Sequence, residues 1–159
     1  MQFYTVAGAI VLLTAGLEGA RRLCKMAEDD IFGVDAYLSF LRYVRTQIDC
    51  YALPIGEIFE RCSKELLYSC GWRQESAPHT FEELFSCNHI SDKEAKNVIF
   101  EFCSDFGRNY REEELKRCDS CITALEKCRE RLAREVPNKK KLNLTLCLSA
   151  SVALIILLL

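Results

Sequence analysis

The chain has 159 residues, 50% hydrophobic and 28% charged, with a formal net charge of −2. That balance offers no strong basic field for nucleic acid, and three prolines with seven glycines exclude long Pro-rich or disordered linkers. Ten cysteines are many for this length, and two readings compete: a secreted domain stapled by disulfides, or a reduced domain using Cys as a small apolar residue.

The first element is the apolar run Phe3 to Leu17, ended by Glu18 and followed by Arg21, Arg22 and Lys25. A cleaved signal peptide would carry its positive charge before the apolar run. Met1 to Thr5 contains no Lys or Arg, so residues 1–26 read as an uncleaved signal-anchor helix rather than a leader cut after Gly19-Ala20.

Residues 27–136 are long enough for one domain with its own core. From Asp30 the pattern is helical, with Val34, Leu38, Leu41, Val44 and Ile48 on one face. Arg42, Arg45 and Asp49 fall off that face. Leu53-Pro54 is expected to end this helix and start the next, with Pro54 at the first helical position. The second helix would run to a stop at Cys70-Gly71.

Arg73 to His79 reads as the loosest part. Thr80 to Glu83 forms a capping box, and Ser91 to Glu94 a second one. The helix after Ser91 carries Ala95, Val98, Ile99, Phe102 and Phe106 and closes at Gly107, after which Asn109 is expected to cap the next. That helix, Tyr110 to about Glu135, places Leu115, Cys118, Ile122, Leu125, Cys128 and Leu132 on one stripe. No stretch alternates with period two. The fold class is therefore all-α, a bundle of about five helices.

Pro137-Asn138 is expected to interrupt the path into the last segment, residues 137–159. Lys139, Lys140 and Lys141 there precede eighteen uncharged residues, Leu142 to Leu159. As a helix these span roughly 27 Å, close to the roughly 30 Å apolar core of a bilayer. A buried core helix rarely runs so far without a charged face, so this reads as a second transmembrane helix. Asn143-Leu144-Thr145 fits a glycosylation pattern but lies at the start of that span. Both basic clusters belong to the middle segment, which the positive-inside rule places in the cytoplasm. Thiols stay reduced there, which favours the second reading of the cysteines. Gly8, Gly16, Ser149 and Ala153 would let the two spans pack closely.

Cys118-Asp119-Ser120-Cys121 is the one formal motif. A redox pair of this spacing normally follows a strand, and a zinc site needs four ligands, whereas the chain holds two histidines, His79 and His89. Core packing is the favoured role. Cys87 and His89 lack an orienting acid at a recognisable spacing, and no Gly-rich phosphate loop is present. The sequence predicts no enzyme, metal, cofactor or small-molecule substrate.

Taken in order, the apolar first helix, Leu41-Arg42-Tyr43-Val44-Arg45-Thr46-Gln47-Ile48, Leu53-Pro54-Ile55, Phe102-Cys103-Ser104-Asp105-Phe106-Gly107, the charged helix, the basic knot and the aliphatic end are similar to the stage III sporulation protein AB family of endospore-forming bacteria. Where that family usually has Leu-Gly, this chain has Phe106-Gly107. The resemblance implies a non-enzymatic scaffold in the channel complex between mother cell and forespore. It would lie in the cell membrane with its central domain in the cytoplasm on the mother-cell side. It also implies a bundle like the cytoplasmic domains of type II secretion platform proteins. The partners so implied are the lipid bilayer, an ATPase (stage III sporulation protein AA) and other channel components. Arg42, Pro54, Phe106 and Gly107 are the positions that match the family, with Arg42 as the partner contact. The alternatives are a membrane-anchored thiol or metal sensor built on Cys118 and Cys121, and a secreted Cys-rich protein.

Overall fold

A computed structural model describes the backbone of residues 2–51, 53–107 and 110–158, with side chains except at 2–7, 9, 10, 12, 13, 27, 55, 105, 155, 157 and 158. Six helices occur among these residues and no strand: α1 (Gln2–Tyr51), α2 (Ile55–Arg61), α3 (Lys64–Ser69), α4 (Phe81–Ser86), α5 (Lys93–Asp105) and α6 (Arg111–Leu158). The all-helical class agrees with the apolar periodicity. The chain divides into two compact units, one of Met1–Glu28 with Leu132–Leu159 and one of Asp29–Arg131.

The unit of residues 29–131 is a helical bundle. Its core takes Val34, Leu38, Leu41, Val44 and Ile48 from α1, all buried as their spacing predicts. Cys118, Cys121, Leu125 and Cys128 are buried on α6. Phe81 joins the pieces: its ring lies 5.8 Å from Phe40, 4.9 Å from Phe59, 5.4 Å from Phe102 and 4.6 Å from Phe106. These contacts bring α1, α2, α4 and α5 onto one aromatic cluster, each ring pair worth about 0.5–1.5 kcal/mol beyond burial. Gly33 lets Ile90 approach α1, since a Cβ there would sit 2.7 Å from Ile90 Cγ1.

Four expectations need correction. The helix expected from Pro54 to Cys70 is two, broken at Cys62–Ser63. Cys62 turns to extended backbone, and Ser63 caps α3 by accepting from the Leu66 amide. The cap of α5 is Asp92, not Ser91; its carboxylate accepts from Ala95 N at 3.0 Å. Pro137 lies inside α6 rather than at a break. Proline there removes one intrahelical donor and crowds a carbonyl, and the flanking residues carry the helix through. Pro54 sits one place earlier than expected, as the cap of α2. The expected Asn109 cap lies outside the described residues.

The Cys70-Gly71 stop is present. Gly71 N donates to Tyr68 O at 3.1 Å and Trp72 N to Leu67 O at 3.0 Å, a Schellman ending with buried Leu67 and Trp72 in contact position. Gly71 takes φ +103° and Gly107, just past α5, takes φ +87°.

The second unit pairs the first part of α1 with the last part of α6. Gly16 lies against Ser151: a Cβ on Gly16 would fall 2.0 Å from Ser151 Oγ and 3.3 Å from Cys147 O. Further along, the Cys24 thiol donates to Lys140 O at 3.9 Å, and Lys140 Nζ pairs with Glu28. The two helices thus run antiparallel. Much of this unit's apolar surface is open, with Val11, Met26, Leu142, Leu146, Val152 and Ile156 all about half exposed or more. The two apolar runs expected to cross a membrane fall partly on side chains outside the described set. Among the described residues no helix is long and apolar enough to cross a membrane.

Candidate functional site

The face that carries Arg42 lies along the seam of α1 and α6 within the bundle unit. Both helices place charged residues beside their apolar stripes, and antiparallel packing brings opposite signs together. Asp35 pairs with Arg129 at 2.6 Å, Arg42 with Glu126 at 2.6 Å, and Asp49 with Arg111 at 3.2 Å. Arg45 grips Asp119 with two donors, Nε to Oδ1 at 2.5 Å and Nη2 to Oδ2 at 3.3 Å. The result is a four-rung ladder of ion pairs on the surface.

Arg42 is 57% and Glu126 47% exposed. An exposed pair of this kind contributes about 0–1 kcal/mol to stability. Its arginine can therefore exchange one carboxylate for another at little cost. Arg111 does more than pair: its Nε donates to Ile48 O at 3.0 Å, and its Nη2 to Asp49 O. No basic residue lies in the last turn of α1, so Arg111 supplies the cation that the carbonyl end of a helix favours.

The other matched positions are structural in their contacts. Pro54 is exposed at the α2 cap with φ −68°. Phe106 stacks into the aromatic cluster, 4.8 Å from Phe102. Gly107 N donates to Glu114 Oε1 at 3.1 Å. Arg42 is not brought together with these three by any contact described above.

Six of the ten thiols are packed in the core, among them both of the Cys118–Cys121 pair. Cys118 is fully buried and Cys121 nearly so, and the Cys121 thiol faces Val98 O at 3.9 Å. Burial pushes both thiols up to about 12. The same desolvation lifts Cys70 and Cys103 to about 12 and Cys62 to about 11. A thiol so raised holds almost no thiolate at neutral pH and is a poor nucleophile or metal ligand. Among the described residues no group of three or more His, Cys, Asp or Glu is placed to hold a metal ion.

Clefts open on the bundle. One of about 450 Å³ is lined by residues of α5 and α6, including Glu94, Ser120, Thr123 and Lys127. Another, about 420 Å³, lies beside α3 and the Trp72–Ala77 loop. Neither is lined by His79 or His89.

The ladder was not foreseen from the sequence, where Arg42, Arg45 and Asp49 read only as lying off the apolar face, with Arg42 as the partner contact. The available signal was the seven-residue spacing of Asp35, Arg42 and Asp49 beside one stripe and of Asp119 and Glu126 beside the other. That is the flanking pattern of paired helices.

The helical bundle with its charged seam and the two-helix unit with its open apolar surface define an all-α protein. The family model described as Stage III sporulation protein AB matches residues 5–159. The chain belongs to that family, and its role lies in stage III of sporulation. Neither a curated protein nor a solved structure matches it.

Proposed function

We propose that the protein is a non-enzymatic membrane scaffold of the mother cell–forespore channel complex. In this reading the two-helix unit spans the cell membrane, and the bundle docks the partner ATPase from the mother-cell cytoplasm. The observation that carries the membrane part is the apolar surface of the two-helix unit. Val11 is 64% and Ile156 69% exposed, and water is a costly neighbour for rows of such side chains. Arg21, Arg22 and Lys25 on α1 and Lys139 to Lys141 on α6 flank that surface in sequence. Docking is assigned to the seam at Arg42, whose exposed guanidinium pairs, among the described residues, with the half-exposed Glu126 alone. The buried thiols favour this reading over a redox or metal sensor.

The test is capture of the purified stage III sporulation protein AA ATPase by the full chain in neutral detergent. Wild type is expected to retain it and Arg42→Glu to lose at least tenfold in affinity. Glu126→Arg added to Arg42→Glu restores the ion pair with reversed polarity, so it removes any like-charge repulsion at the seam but is not expected to restore docking. Capture by wild type and both variants alike would remove Arg42 from the docking face. No capture by folded wild type would overturn the scaffold reading.

A further inference from the structure

The two units differ in charge. The bundle unit holds 14 Lys and Arg against 20 Asp and Glu, a net −6; the two-helix unit holds 7 against 3, a net +4. Within the latter, several cations are already neutralised: Arg21 by Glu18, Lys139 by Glu135 and Lys140 by Glu28. Arg22, Lys25 and Lys141 are exposed and have no ion pair among the described residues. All three lie within one turn of the contact between Cys24 and Lys140, so the antiparallel pairing gathers them at one level of the helix pair. Open apolar side chains continue directly from that level. Leu144 and Leu148 follow Lys141 on the same helix face at spacings of three and seven, exposed to 44% and 37%.

We propose that Arg22, Lys25 and Lys141 form a site for the headgroup of an anionic phospholipid, whose acyl chains lie along Leu144 and Leu148. The chemistry asks for both halves of such a molecule. Three unneutralised cations call for a phosphate with net negative charge, which a zwitterionic headgroup lacks. The adjoining leucines call for a hydrocarbon chain, which a soluble phosphate lacks. Each basic residue near an anionic surface favours it about fivefold, so three acting together favour it on the order of a hundredfold.

This inference rests on the membrane reading above, and one experiment separates the two. The full chain is reconstituted into vesicles of phosphatidylcholine alone and floated on a density gradient. In parallel, it is purified from micelles containing equimolar phosphatidylglycerol and phosphatidylcholine, and the bound lipids are quantified. Wild type is expected to float and to retain phosphatidylglycerol at least tenfold over phosphatidylcholine. Arg22→Gln/Lys25→Gln/Lys141→Gln is expected to float equally and lose the preference. Arg21→Gln/Lys139→Gln, which removes two paired cations instead, is expected to keep it. Flotation without lipid preference, or a preference that survives the triple substitution, overturns the lipid site and leaves the membrane reading standing. So does equal loss in both variants. Failure of wild type to float overturns the membrane reading, and the site with it.

Discussion

The rings of Phe81 and Phe106 lie 4.6 Å apart at an interplanar angle of 59°. One opens α4 and the other ends α5, so this contact ties a short helix to the C-terminus of a longer one. Phe81→Ala is expected to cost about 3–5 kcal/mol, as for other large aromatics removed from a core. Phe106→Leu, which keeps an apolar side chain, is expected to cost only about 1–3 kcal/mol through its two lost ring contacts. Urea unfolding followed by circular dichroism measures both. A Phe106→Leu cost as large as that of Phe81→Ala would contradict the central place given to Phe81.

The two positive-φ glycines make a graded comparison. Gly107→Ala forces a left-handed conformation on an L side chain, a cost of about 1–2 kcal/mol. Gly71→Ala incurs that cost and also drives its Cβ to 2.4 Å from Cys87 O, a backbone atom that cannot rotate away. The expected order is Gly71→Ala more destabilising than Gly107→Ala, read as the shift in thermal midpoint.

Thiol burial gives a pH dependence with a definite sign. Cys70, Cys103, Cys118 and Cys121 are raised from 9.0 to about 12 by desolvation. Between those values the folded chain keeps protons that the unfolded chain releases. The stability these groups contribute is thus fully present below about pH 9 and is lost as pH rises toward 12. The urea midpoint is expected to be flat with respect to these thiols from pH 7 to 8.5 and to fall above pH 9. Cys118→Ala/Cys121→Ala should fall less steeply there. Under native conditions, a thiol reagent should label exposed Cys50 fast and Cys118 and Cys121 only on unfolding. Rapid native labelling of the Cys118 and Cys121 pair would revive the sensor reading.

Pro137 interrupts the hydrogen bonding of α6 without ending it. Pro137→Ala is expected to stabilise the helix by up to about 3 kcal/mol, since it returns a donor and relieves the ring. The full chain in detergent should melt higher by circular dichroism. A lower melting point would mean that a bend at Pro137 is itself needed.

Much of this was legible in the residues, for identifiable reasons. The α1 stripe from Val34 to Ile48 and the α6 stripe from Cys118 to Leu132 follow helical periodicity, which burial alone enforces. Gly71 and Thr80 announced their helix ends by local chemistry that acts within four residues. The break at Cys62–Ser63 escaped notice because Ser63 caps through one hydrogen bond, with no glutamate or glutamine three residues on. Ser91 and Asp92 are both good caps, and the choice falls to Asp92, which also meets Arg131 at 2.8 Å from a distant helix. The α1–α6 ladder is likewise a product of tertiary pairing. Arg42 was singled out by family resemblance, and no local pattern named Glu126 as its partner.

Arg111 closes the end of α1 from 62 and 63 residues away in sequence, and Arg129 reaches Asp35 across 94. During synthesis the first helix therefore emerges long before the residues that cover it. Until α6 has left the ribosome, Ile48 and Asp49 present bare carbonyls and the apolar stripe from Val34 to Ile48 lacks the cover that α6 gives it. Loops of this length close at an entropic cost that no local contact repays beforehand. The contacts of the bundle are therefore complete only once translation has passed Arg131.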